Sequence, residues 1–303
     1  MSGGLLRHAG RRIVFVPLSA LIVSMVGFAG LHQLAGDPCV EGARPRAVMR
    51  LNCIQALGLD QPLPVQYLRW LNQVIHGGFG DQLLIDARNS ALVGGLALAL
   101  VIVFGIWLGA LAALNRRRWH GRLLDLVSLM TLSTPNFVIA AILVSLTTVG
   151  LYNLTGGVLY YDFGWGKPEQ LTVPVLALAL SPMAVVLRFT RGSVLEVMRQ
   201  DHVTTARAKG LGGLALTGRH MIRNALVTVI TVLGPIVTTV ATGSIVIENI
   251  FGIPGLGQDL VQSALGRNYE VFITILTYYA LVIGAANVLA DVLYGLVDPR
   301  VRY

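Results

Sequence analysis

The sequence predicts an all-α, polytopic membrane protein with six membrane-spanning helices, and three observations carry that prediction. Hydrophobic residues make up 54% of the 303 positions and charged residues only 13%, where a soluble domain carries about 25% charged residues. The apolar residues gather into six stretches free of Asp, Glu, Lys and Arg, each close to or above the roughly 20 residues that cross a bilayer as helix. The basic residues then alternate between the connections. An ordinary soluble enzyme and a disordered chain are both excluded. A net charge of +8 suggests nucleic acid in a soluble protein, but a basic excess sorted into alternate connections is the mark of a bilayer partner.

The first span runs from Ile13 to Gly36, behind Arg7, Arg11 and Arg12. It is too long for the apolar core of a signal peptide, and no small-residue cleavage site follows, so it is expected to remain. An outer loop over 37–88 comes next. Within it, Val65, Leu68, Leu71 and Ile75 recur at helical spacing, which predicts a helix over 64–75 lying on the membrane or against a partner. Cys39 and Cys53 fit no zinc pattern; a disulfide and two free thiols are both open.

The second span covers Asn89 to Asn115 and places Gly105 and Gly109 one turn apart, a spacing that allows close helix packing. The third run, Leu126 to Tyr161, is too long for one span, and Gly150, Asn153, Gly156 and Gly157 should end its helix near Tyr152. Gln170 to Leu187 is short, with Arg188 placed to snorkel at its end. Asn224 to Ile247 and Val271 to Ala290 complete the six. The amino end, the second and fourth connections and the tail carry net +11, and the opposite side carries −3. The positive-inside rule therefore puts both termini in the cytoplasm. No internal repeat divides the chain, so residues 1–303 are expected to form one membrane domain.

The fourth connection, 188–224, is long, basic and patterned. Asp201 stands where an N-cap belongs, Ala206 and Ala208 favour helix, and Gly210 can close it in the left-handed conformation. Local physics alone makes such a helix an interfacial anchor attracted to anionic headgroups. Its sequence points elsewhere. The stretch D-H-V-T-T-A-R-A-K-G-L from Asp201, with R-H-M-I-R-N-A from Arg219, resembles the cytoplasmic EAA loop of ABC importer permeases, in the oligopeptide, dipeptide and nickel branch. Gly36-Asp37-Pro38, the 57–63 stretch L-G-L-D-Q-P-L with Gln66-Tyr67-Leu68, the 248–258 stretch E-N-I-F-G-I-P-G-L-G-Q and the 298–303 tail D-P-R-V-R-Y are similar to the same family. The match weakens over 77–93, which is shorter and differently punctuated than the family pattern.

The resemblance implies a type I ABC importer permease fold and a set of roles. Asp201, Thr205, Ala206, Arg207, Ala208, Lys209 and Gly210 would form the helix that couples to an ATPase, with His220, Arg223 and Asn224 leading into the fifth span. Thr204 stands where the general motif has glutamate. The segment around Glu248, Phe251, Pro254, Gly255 and Gly257 would form the outer shoulder that receives a binding protein; by residue physics alone it is a tight connection. The implied partners are a second homologous permease, two ATP-binding cassette ATPase domains carrying the ATP and magnesium, and an extracytoplasmic substrate-binding protein.

In the fifth span, Thr228, Thr231, Pro235, Thr238 and Thr242 share a helix face. They line an aqueous path or, alternatively, bond back to their own helix and pack. Asn136, beside Pro135, joins the path candidates. Nothing in the chain suggests catalysis, a bound cofactor or a metal site. There is no G-x-x-x-x-G-K-[ST] loop, the only lysines being Lys167 and Lys209, and neither a His-Glu-x-x-His nor a Gly-x-Ser-x-Gly motif. The middles of the six spans carry no ionisable residue of the kind that ion-coupled transporters use. The expectation is a permease subunit for short peptides, or for nickel or its chelates. The alternative is an ATP-independent channel or scaffold.

Overall fold

A computed structural model describes residues 3–33, 39, 51–55, 58–77, 80–156, 161–210, 222 and 229–297. Among them all regular structure is helical: α1 (Gly3–Gln33), α2 (Leu63–Ile75), α3 (Asp81–Leu114), α4 (Trp119–Ser133), α5 (Asn136–Leu154, with a π turn over Leu146–Gly150), α6 (Thr172–Val197), α7 (Asp201–Ala208), α8 (Leu233–Phe251), α9 (Leu256–Leu265) and α10 (Tyr269–Val297). Six of these segments, in α1, α3, α5, α6, α8 and α10, are long and apolar enough to cross a membrane.

Several boundaries differ from those expected, most of them for one physical reason. The backbone bonds that make a helix are indifferent to side-chain charge, so a charge-free run marks the stretch suited to hydrocarbon and not the helix ends. α3 starts two turns earlier, at Asp81, whose carboxylate favours the first turn of a helix. α6 continues past Arg188 to Val197, and Arg191 inside that extension pairs with Asp125 of α4 at 3.2 Å. The third apolar run holds parts of two helices. Pro135 disfavours helical backbone at Thr134, which is extended at ψ 124°, so α4 ends and α5 begins at Asn136.

Two pairs of helices pack along most of their length, α3 with α6 and α1 with α10, while α8 touches α3, α5, α6, α9 and α10 and so sits at the centre. The α3–α6 pair depends on missing side chains. A Cβ on Gly105 would lie 2.7 Å from the Cβ of Val186, and one on Gly109 would lie 2.5 Å from the carbonyl oxygen of Leu187 and 2.7 Å from the Cβ of Thr190. The surrounding core is made of Val93, Ala97, Val101, Leu178 and Val186. α2 is tied to α10 by Trp70, whose Nε1 donates to Thr274 Oγ1 at 3.0 Å. Its Val65, Leu68 and Ile75 remain exposed.

α8 has a discontinuity at its start. Residues 229–231 are helical, Val232 is a turn, and the helix resumes at Leu233. Pro235 has no N–H to offer the carbonyl of Thr231, which removes one bond of the ladder at that point.

Candidate functional site

At one end of the molecule α7 folds back against the end of α6. Val203 and Ala206 are buried against Val197 and Met198, which leaves Asp201, Thr204, Thr205 and Ala208 exposed at the i, i+3, i+4, i+7 spacing of one helix face. Lys209 and Gly210 continue that exposure. The role expected of one residue changes. The carbonyl of Gln200 accepts from the N–H of Thr204 at 3.3 Å, so Gln200 caps the helix and Asp201 lies in its first turn, where the helix dipole favours an acid. Ala206 is inside and anchors the helix. The N–H of Lys209 closes onto the carbonyl of Thr205 at 3.1 Å, and Gly210 follows with φ +81° in open space. The side chain of Arg207, and His220, Arg223 and Asn224, lie outside the described residues.

Along α8, Thr231, Pro235, Thr239 and Thr242 form an exposed line, with Thr238 half-buried beside it. The hydroxyls of Thr238 and Thr242 donate to the carbonyls of Gly234 (3.1 Å) and Thr238 (2.9 Å) within their own helix. Both descriptions of the stripe therefore meet in one place: the hydroxyls are internally satisfied, and the face they occupy is uncovered in the single chain. Asn136 joins this region, its Nδ2 lying 3.3 Å from where a Cβ on Gly243 would be. Thr228 lies outside the described residues.

At the opposite end of α8 the turn into α9 is built around a fully buried carboxylate. Glu248 Oε2 accepts from the backbone N–H of Gly257 at 2.6 Å and of Gln258 at 3.3 Å, two of the donors that the first turn of α9 leaves unpaired. Ser90 Oγ of α3 accepts from the N–H of Leu256 at 2.9 Å, and Asn89 Nδ2 donates to the carbonyl of Pro254 at 2.7 Å. Glycine is required by space. A Cβ on Gly255 would lie 2.5 Å from Glu248 Oε2, and one on Gly257 would lie 2.5 Å from the Cα of Ile245.

The residues expected to form the shoulder lie in this turn. Glu248, Phe251, Gly255 and Gly257 are buried and Pro254 is half-buried, so these residues build the turn itself. Ser90 and Asn89 carry no sequence signal for this role, because nothing local in N-S-A-L-V reveals a partner about 165 positions away. Beside this turn Asp259 faces Asp86 of α3, which is itself held by the amide of Gln82. Burial, then the hydrogen bond and like charge of the Asp86 carboxyl, push Asp259 up to about 6. Cys39 and Cys53, left open by the sequence, are joined as a disulfide with their Cα atoms 5.7 Å apart. Among the described residues no cluster of His, Cys, Asp and Glu is arranged to hold a metal ion.

Residues 105–303 match the family of binding-protein-dependent transport system inner membrane components. The chain is 33% identical to a dipeptide transport system permease protein of Bacillus subtilis, over 98% of each chain. It is 37% identical to a putative peptide transport system permease protein of Brucella abortus, over 93% of this chain and 95% of that one. The fold is also that of a crystal structure of an amino acid ABC transporter, with a TM-score of 0.50 at 20% identity, over 77% of this chain and 98% of the other. Six spanning helices, a short helix folded against the end of the fourth span and a family match across two thirds of the sequence agree: the chain belongs to the binding-protein-dependent transport system inner membrane component family.

Proposed function

We propose that this transmembrane subunit forms half of the translocation path of an ATP-driven importer of short peptides. It would sit in the bacterial cytoplasmic membrane with both termini inside and pair with a second, homologous permease. The observation that carries the coupling role is α7, an eight-residue helix anchored by Val203 and Ala206 and exposing Asp201, Thr204, Thr205 and Ala208 as one face. That face docks on an ATPase subunit, which binds the ATP and magnesium; this chain holds neither. When two ATPase domains close on ATP, the two coupling helices approach and the path opens outward, and hydrolysis resets it.

The exposed line of Thr231, Pro235, Thr239 and Thr242 faces the partner permease and lines the path between them. The peptide cargo is supported by the relatives at 33% and 37% identity, both named as peptide or dipeptide permease proteins. An extracytoplasmic binding protein delivers that cargo to the outer side, and the buried turn at Glu248 sets the orientation of α9 beneath it. The test is the mass of the intact complex extracted in mild detergent, with each co-purifying chain identified. A P-loop ATPase and a second six-span chain are expected. Recovery of this chain alone, under conditions that keep other membrane complexes whole, overturns the importer assignment in favour of a channel or scaffold.

A further inference from the structure

A cavity of about 220 Å³ opens where the end of α1, the middle of α2 and the α9–α10 turn meet. Its lining has a consistent chemistry. Arg69 comes from α2 and Arg267 from the turn, against a single carboxylate, Glu270. Neither arginine is paired with a carboxylate among the described residues. The floor is aromatic, with Phe28 and Trp70 buried.

The second observation is backbone strain at one of those arginines. The N–H of Asn268 bonds the carbonyl of Ser263 at 2.8 Å and that of Arg267 bonds the carbonyl of Ala264 at 3.4 Å. This is the pattern in which a helix ends on a left-handed residue, normally glycine. Here the position holds Arg267 at φ +56°, the only non-glycine residue with positive φ among those described. Gly266 stands one place too early to relieve it. An L-residue with a long side chain held in that conformation costs free energy, and such outliers cluster where a side chain is needed in a fixed direction.

A third observation fixes one wall. Gln66 Nε2 donates to the carbonyls of Gln61 at 2.7 Å and Leu59 at 3.3 Å, which turns its Oε1 toward His32 Nε2 at 3.2 Å. His32 Nδ1 meets the carbonyl of Phe28 at 2.8 Å. The wall is thus pre-formed, and the charged groups left in the lining are the two guanidinium groups and Glu270.

We propose that this cavity binds the phosphate of an anionic phospholipid headgroup. The depth fits: α1 ends its apolar span at Gln33 and α10 begins its own at Tyr269, so the cavity lies where hydrocarbon gives way to headgroups. The flank fits as well, because Leu68, the neighbour of Arg69, is 62% exposed and the half-buried Tyr67 and Tyr269 are residues typical of that level. Two guanidinium groups suit the oxygens of a phosphate. Which leaflet supplies the lipid follows the orientation proposed above, whereas the binding chemistry does not depend on it.

The test is lipid retention by the complete permease complex, without binding protein, returned to nanodiscs of phosphatidylcholine containing phosphatidylglycerol and then read by native mass spectrometry. Wild type should retain phosphatidylglycerol selectively. Arg69→Gln and Arg267→Gly should each weaken that retention about tenfold, the scale of one lost charge-assisted contact. Arg267→Gly is the decisive variant, because glycine suits the left-handed position and the fold is kept or strengthened even if Arg69→Gln assembles poorly. Equal retention by wild type and Arg267→Gly, or no preference of wild type for phosphatidylglycerol, overturns the proposal. So does displacement of the lipid by a dipeptide with a free carboxyl terminus but not by its amide, which would assign the cavity to cargo.

Discussion

Replacing Gly210 with valine isolates the role of α7, because the substitution acts through the backbone alone. Gly210 has φ +81°, and nothing lies within 4 Å of where its Cβ would be, so no steric clash contributes. The left-handed conformation costs an L-residue about 1–2 kcal/mol, and β-branched residues are the worst placed in it. A helix of eight residues is far below the length that holds itself together in water. Its fold therefore rests on Val203 and Ala206 against Val197 and on a clean ending. A cost of 1–2 kcal/mol corresponds to a ~5- to 30-fold fall in the population that ends the helix as observed. ATP-driven uptake and co-purification of the ATPase should fall together in the order Gly210→Asn, Gly210→Ala, Gly210→Val, with asparagine nearest wild type because it tolerates this conformation. If the three variants transport and co-purify like wild type, the chain does not couple through this helix end.

Four further outcomes are expected. Glu248→Ala leaves the buried N–H of Gly257 without its acceptor, at about 1–3 kcal/mol, and removes the longer bond from Gln258, so hydrogen exchange in 255–259 should quicken markedly, while Glu248→Gln, which keeps an acceptor oxygen, should quicken it less. Gly109→Val should abolish folded protein in detergent, because its Cβ meets backbone at 2.5 Å, whereas Gly95→Val, with nothing within 4 Å, should leave yield and monodispersity unchanged. Thr238→Val should alter uptake more than assembly, since the hydroxyl it removes bonds only within its own helix; an effect on assembly alone would assign Thr238 to packing. For Asp259, folding favours the protonated form, because its folded value of about 6 lies above the ordinary 3.8. That contribution is fully present below pH 3.8 and is lost as pH rises through 6. Asp259→Asn should thus raise the melting temperature of the complex at pH 7 and lose that advantage toward pH 4; a gap independent of pH contradicts the pairing with Asp86.

The parts of this molecule that the sequence made legible are those governed by local rules. The six apolar runs located the spans, the spacing of Val65, Leu68, Leu71 and Ile75 located α2, and Gly105 with Gly109 marked a close helix contact, that of α3 with α6. What stayed hidden was settled by distant neighbours. Glu248 sits at a helix end in a Gly- and Pro-rich stretch, and either a surface shoulder or a buried cap is consistent with that text. Only the arrival of Ser90 and Asn89 from α3 decides for the cap. The break at Pro135 was printed in the sequence, but an unbroken apolar run on both sides outweighed it. The strain at Arg267 has no sequence signature, since Gly266 next to it is the residue a helix end would ordinarily use.

The cap at Glu248 has a mechanical consequence. Because one carboxylate of α8 holds the first turn of α9, and Asn249 Nδ2 also reaches the carbonyl of Gly257 at 3.1 Å, the turn and the adjoining half of the central helix are tied into one stiff unit. The nearest point of give along that helix is the interrupted backbone at Val232, ahead of Pro235. A load on α9 would therefore be carried along α8 to that pivot, and the missing side chains at 255 and 257 are what let the turn close at all.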